Sequence, residues 1–108
     1  WPQAPRPIST DELLPERAIA GDATARAELI QSVYLPLAGE EHLLATAEAF
    51  FEQSPSLEGT ARLLFVHPNT VRYRLGRIAD ITGFSATDPR GSLTLRLALM
   101  LGRTSSVD

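Results

Sequence analysis

Arg72, Arg74 and Arg77 stand close together in the chain, beside Asn69, Thr70 and Tyr73. A guanidinium forks onto guanine or pairs with phosphate, an Asn amide pairs with adenine, and a hydroxyl near a helix start holds a phosphate oxygen. The chemistry this set suits is recognition of a groove and its backbone rather than bond making or breaking. No catalytic constellation competes with it. There is no cysteine, no phosphate-cradling glycine loop, and only His42 and His67 as ordinary bases, so no enzyme is expected. No cofactor is expected, and two histidines without cysteine give no zinc site. Glu40 and Glu41 sit at a helix start, where they complement the helix dipole better than they would form a catalytic pair.

Two short helical patterns must position these residues. Leu57, Ala61 and Leu64 recur at helical spacing, with Ser56 placed as an N-cap, which predicts a helix over residues 57–64. Phe65 and Val66 carry the apolar run into a turn. His67 then caps a second helix that opens at Pro68, whose missing N–H has no helical partner at that position. Val71, Leu75 and Ile78 fall within about 60° on the helical wheel, a narrow stripe for burial against the first helix. The opposite side presents Asn69, Tyr73, Gly76 and Asp80, flanked by Arg72 and Arg77. Gly76 would admit close approach of a DNA backbone, while Asp80 would repel phosphate and so belongs away from it. A helix-turn-helix over residues 56–83, with residues 68–82 as the recognition helix, is the arrangement predicted.

Charge is unevenly spread. The formal net of −3 gives no general attraction to phosphate, but residues 1–55 hold three Arg against nine acids, while residues 56–103 hold seven Arg against three; Asp108 supplies the last negative charge. An acidic half beside a basic half is expected where one part meets nucleic acid and the other meets protein or solvent. The length suits one domain. The absence of cysteine, together with the lack of a secretory leader or membrane-length apolar run, leads to an expected cytoplasmic location without membrane contact.

Elsewhere the chain reads as all-α. Residues 1–9 hold three prolines and read as a linker remnant, residues 10–103 as a helical domain, and residues 104–108 as a disordered tail. Thr10 with Asp11 and Glu12 opens a helical turn, Pro15 restarts it, and Gly21 stops it. Asp22 caps a helix that carries Ala25, Leu29 and Val33 and ends near Pro36. Another runs from about Glu40, with Phe50 and Phe51 as core. Ser54, Pro55 and Ser56 end it and begin the next. Asp88 and Pro89 open a last helix with Leu93, Leu97 and Met100 on one side and Leu95 and Leu99 on the other, which predicts burial of two faces, either within the domain or against another subunit. The total is about six helices.

LFVHPNTVRYRLGRI closely resembles the C-terminal helix-turn-helix of PucR-type bacterial transcriptional regulators, also found in CdaR-type sugar-diacid regulators. DELLPERAIAGD, VYLPL, LEGTARLLFVH and DPRGSLTLRLALML extend the resemblance over residues 11–102. A more distant similarity to the DNA-binding end of Fis-type nucleoid proteins implies the same Fis-like fold. Pro68 stands where the family often has arginine, which removes one candidate base reader. The resemblance implies that Asn69, Thr70, Arg72, Tyr73 and Arg74 contact a double-stranded DNA operator. It is most similar to the actinobacterial branch that regulates fatty-acid or mycolic-acid synthesis genes, with acyl-CoA as a signal sensed by a separate N-terminal domain.

The site expected from these readings is Asn69, Arg72, Tyr73 and Arg77 for base or near-base contacts. Ser56, Thr70, Arg62 and Arg74 are expected on phosphate, and His67 is read either as a capping or partly buried turn histidine or as a further DNA contact. A homo-oligomer of the full-length regulator is expected, since one helix reads few base pairs and two half-sites supply affinity. The rival reading is a helical protein-interaction module that keeps the shape without binding DNA, which the negative net charge and Pro68 both permit.

Overall fold

The computed structural model describes residues 13–53 and 55–106, and every regular element among them is helical. The linker reading of residues 1–9, the turn opened by Thr10, and Ser54 lie outside the described residues. Six helices form. Helix α1 spans Leu14–Ile19 with Pro15 in its first turn, and Gly21 ends the segment at φ 99°, a left-handed conformation that glycine adopts without a Cβ clash. Asp22 then caps α2 by accepting from the N–H groups of Thr24 and Ala25 at 2.9 and 3.1 Å, and its other carboxylate oxygen takes the Arg17 Nε–H at 2.9 Å.

Helix α2 is a continuous rod of three segments, Ala23–Leu29, Ile30–Tyr34 and Leu35–Ala38, the middle one a π-helical turn. The sequence placed its end near Pro36, and it runs through that proline to end two residues beyond, at Ala38. A proline removes an i→i−4 hydrogen bond and crowds the carbonyl it should have met. The wider turn ahead of it, in which the Leu35 N–H reaches Ile30 O five residues back, carries the chain through that gap. The extra turn seats Leu37 fully inside the core.

Helix α3 is Glu41–Glu52, α4 is Leu57–Leu64, α5 is Pro68–Thr82 and α6 is Pro89–Ser106. Helix α5 packs on α3, on α4 and on the C-terminal part of α2, while α6 packs chiefly on α2 and also on α1. Leu29, Val33, Leu37, Val71, Ile78 and Leu95 are all shut off from water at the centre. Full burial of each such side chain contributes about 1.5–3 kcal/mol, so α5 is fixed chiefly by its Val71, Leu75 and Ile78 stripe. Phe50 is buried, and Phe51 is half-buried edge-on to it at 5.8 Å, with the Arg96 guanidinium 5.7 Å from the Phe51 ring centre.

Asp88 caps α6 by accepting the Gly91 N–H at 2.9 Å, as its place before Pro89 predicted. The helix buries Leu95, Ala98 and Leu99, whereas Leu93 and Met100 on its other side remain 39% and 53% exposed. It is a covering helix with one buried face, not a central one. It also continues to Ser106, so the tail expected over 104–108 is helical for its first three residues, and residues 107–108 lie outside the described set. Near this end, Thr104 Oγ1 donates to Met100 O at 2.9 Å, and Arg103 approaches Glu48 of α3 at 3.8 Å.

Candidate nucleic-acid interface

Helix α4 begins as its sequence dictates. Ser56 is extended at φ −138°, and its Oγ accepts the Gly59 N–H at 2.9 Å, while buried Thr60 donates its hydroxyl to Ser56 O at 2.6 Å. A Cβ on Gly59 would press on Gln53 Oε1 at 3.0 Å and on Ser56 Oγ at 3.3 Å, so a larger residue here needs the Gln53 side chain and the cap to give by a few tenths of an ångström. Ser56 Oγ spends an acceptor site here and keeps its O–H to donate. Arg62 is exposed one turn after the exposed Glu58, and its charge in the last turn complements the helix dipole.

The turn is a Schellman closure. The Val66 N–H reaches Ala61 O at 3.0 Å and the Phe65 N–H reaches Arg62 O at 3.3 Å, with Phe65 in the left-handed region at φ 59°. Glycine is the usual occupant of that position. Phe65 holds it with its ring 93% exposed, beside the start of α5. The sequence pattern carried Phe65 only as part of an apolar run; the one available signal was an aromatic at the position where a helix C-terminus wants glycine.

His67 closes the turn by accepting the Asn69 N–H on Nδ1 at 2.9 Å, which leaves the ring proton on Nε2. Pro68 follows at the first helical position, and Gly83 ends α5 at φ 84°. Between them Val71, Leu75 and Ile78 turn inward, while Asn69, Arg72, Tyr73, Gly76 and Asp80 are exposed. Tyr73 is 68% exposed. A Cβ on Gly76 would meet nothing within 4 Å, so no neighbour in the fold demands glycine there.

The three arginines of α5 separate. Arg72 stays on the exposed face, where its Nη1 donates to Asn69 Oδ1 at 2.6 Å. Arg74 is half-buried and turns back to α3, donating from Nη1 to Thr46 Oγ1 at 3.4 Å. Arg77 is drawn to Glu40 at the start of α3, 3.7 Å away. That exposed pair is weak, on the order of 0–1 kcal/mol, and a phosphate oxygen competes with it readily. Asn69, Arg72 and Tyr73 therefore share one open face with half-buried Thr70 beside them, Ser56 and His67 cap the two helices of the motif, and Arg74 and Arg77 form a shoulder toward α3. The Arg74 and Arg77 tethers span long stretches of chain and have no local sequence signal.

Among the described residues, no group of three or more His, Asp or Glu side chains is placed to hold a metal ion, and no helix is long and apolar enough to cross a membrane. A short capped helix, a closed turn and a second helix with one buried and one open face define a helix-turn-helix domain of the transcriptional-regulator type. Residues 43–101 match the model of the PucR C-terminal helix-turn-helix domain, and the chain belongs to that family. It is 49% identical over 104 residues, 95% of its length, to an uncharacterised protein of Mycobacterium tuberculosis, of which it spans 25%. It is 39% identical over 67 residues, 62% of its length, to the purine catabolism regulatory protein of Bacillus subtilis, of which it covers 13%. The crystal structure of a regulator of polyketide synthase expression from Bifidobacterium adolescentis superposes with a TM-score of 0.87 at 48% identity, covering 97% of this chain and 45% of that one. The chain thus spans about a quarter of the length of the mycobacterial relative.

Proposed function

We propose that this domain binds double-stranded DNA sequence-specifically as the DNA-reading end of a transcriptional regulator, with α5 in the major groove. The observation that carries the reading is the open face of α5. Its buried stripe fixes the helix, its opposite face projects Asn69, Arg72 and Tyr73, and Gly76 leaves that face low where no packing neighbour needs it low. Fifteen residues give a helix about 22 Å long, sufficient to enter a groove by its N-terminal half. Asn69, Arg72, Tyr73 and Arg77 are assigned to base or near-base contacts. Ser56, Thr70, Arg62 and Arg74 are assigned to phosphate, and His67 to the groove edge.

Residues 10–103 then form the DNA-binding unit of a longer cytoplasmic regulator that pairs with a second copy, its effector sensed elsewhere in the protein. The names of the relatives, which point to purine catabolism and polyketide synthase expression, support a regulatory role and differ in the genes they govern. The rival, a protein-interaction module, draws on exposed Leu93 and Met100 of α6.

Selection from random duplex DNA, followed by a salt titration on the enriched site, separates the two. DNA binding through two to four arginines gives an affinity that falls with log salt at a slope of about −2 to −4. No enriched sequence at low or high salt would overturn the proposal in favour of the protein-interaction module.

A further inference from the structure

We infer that Glu40 competes with DNA for the Arg77 guanidinium, so that the acidic start of α3 acts as a brake on binding; this rests on the DNA-binding reading above. Arg77 Nη2 lies 3.7 Å from Glu40 Oε2, and both side chains are part-exposed. Two further observations mark this as a use of Glu40 rather than a chance approach. Glu40 stands at the N-cap of α3 in an extended conformation, φ −128° and ψ 93°, yet its carboxylate caps no backbone N–H there. The side chains suited to that role are Ser, Thr, Asp and Asn, so the position is filled by a residue whose carboxylate is used elsewhere. Arg77 in turn has exposed Asp80 one turn on along its own helix, at a spacing where ion pairs form, but its guanidinium goes to α3.

The consequence follows from charge. An arginine drawn to a carboxylate must leave it, or be shared with it, when it meets a phosphate oxygen or a base edge. Glu40 also sets a negative charge beside Arg77, where an approaching phosphate is repelled. Both effects oppose binding, and both disappear with the carboxylate. The pair is exposed, so its hold is slight and salt screens it. That weakness suits a brake, because DNA displaces Glu40 and loses only part of its affinity in doing so. Arg72 is under no such restraint, since its partner is the neutral Asn69 amide. Glu40 thus sets how tightly the domain binds by positioning Arg77, without itself touching DNA.

The test is a double-mutant cycle on affinity for the selected duplex, read by fluorescence anisotropy for the 108-residue chain, Glu40→Gln, Arg77→Ala and the double variant. Exposed Glu41, next to Glu40 in the chain, supplies a control, since Glu41→Gln removes an equal charge but not the Arg77 partner. Glu40→Gln is expected to tighten binding about two- to fivefold at low salt, with a smaller gain as salt rises. Arg77→Ala weakens binding, and in its background Glu40→Gln brings little further change; Glu41→Gln brings less than Glu40→Gln. Thermal unfolding checks that each variant folds. If Glu40→Gln does not, Glu40→Ser takes its place in the cycle, removing the same acid while supplying a hydroxyl suited to an N-cap. Binding unchanged or weakened by loss of the Glu40 carboxylate, an equal gain without Arg77, or an equal gain from Glu41→Gln would overturn this inference while leaving DNA binding intact. A wild-type chain that binds no duplex would remove both.

Discussion

Gly76→Ala should strengthen the fold and weaken the function, because a single methyl acts with opposite signs on the two. Gly76 lies in the interior of α5 on its exposed face, and an added Cβ meets no atom within 4 Å. In such a position alanine stabilises a helix by about 0.8–1 kcal/mol relative to glycine, through the lower backbone entropy of the unfolded chain. For a domain of this size that raises Tm by about 4–8 °C. On DNA the same methyl projects from the face that holds Asn69 and Tyr73. A forced overlap there costs roughly 1–3 kcal/mol, which weakens binding about 5- to 150-fold. Thermal unfolding followed by circular dichroism reads the first effect, and fluorescence anisotropy with the selected duplex reads the second. A lowered Tm would show that the space beside Gly76 is occupied. A raised Tm with unaltered affinity would refute close approach of DNA to this face.

Other consequences follow from the same structure. Gly91→Ala should destabilise, because the new Cβ would overlap Ser85 O and lie 2.8 Å from Ser85 N, backbone atoms that yield only if the loop moves; a Tm that held or rose would contradict this. Phe65→Asn should raise the denaturant midpoint at unchanged m-value, since Asn tolerates the left-handed region and the exposed ring buries little; a gain of about 0.5–1 kcal/mol is expected, and a loss would mean that the ring packs in solution. The Arg90 guanidinium donates to Glu16 from both terminal nitrogens, at 2.5 and 2.9 Å, and this bond lowers the Glu16 carboxyl from its ordinary 4.5 to about 2. The folded-state value is the depressed one, so its contribution is present above pH 4.5 and is lost as pH falls from there toward 2. Glu16→Gln should flatten the acid limb of stability in that window, and an unchanged limb would count against the pair.

Much of the motif was legible because its punctuation is local. Ser56, His67 with Pro68, and Gly83 mark ends that caps and turns impose over four residues, and helices α4 and α5 form between them with the bounds their patterns give. Where a rule of local sequence meets a tertiary demand, the rule yields. Pro36 should end α2, but the Ile30–Tyr34 turn carries the helix past it so that Leu37 reaches the core. Residues 104–108 read as a tail, yet Gly102 lets α6 lie against the Tyr34 ring, and the helix runs on to Ser106. In the candidate site, the wheel placed Asn69, Tyr73, Gly76 and Asp80 together on one side, with Arg72 and Arg77 on its two flanks. It did not give Arg74 and Arg77 their partners, because Thr46 and Glu40 belong to another helix and its cap. Nor did it distinguish the exposed ring of Phe65 from the half-buried Val66 beside it, since both are simply apolar in sequence.

The central claim is that the open face of α5 is the surface that meets DNA. Amide chemical-shift mapping of the 108-residue chain, titrated with its selected duplex at moderate salt, tests it residue by residue. Large shifts at Ser56, His67, Asn69, Thr70, Arg72, Tyr73 and Gly76, with α1 and the exposed side of α6 unmoved, are the predicted result. Shifts centred on Leu93 and Met100 of α6, or none on α5 at saturation, would contradict it.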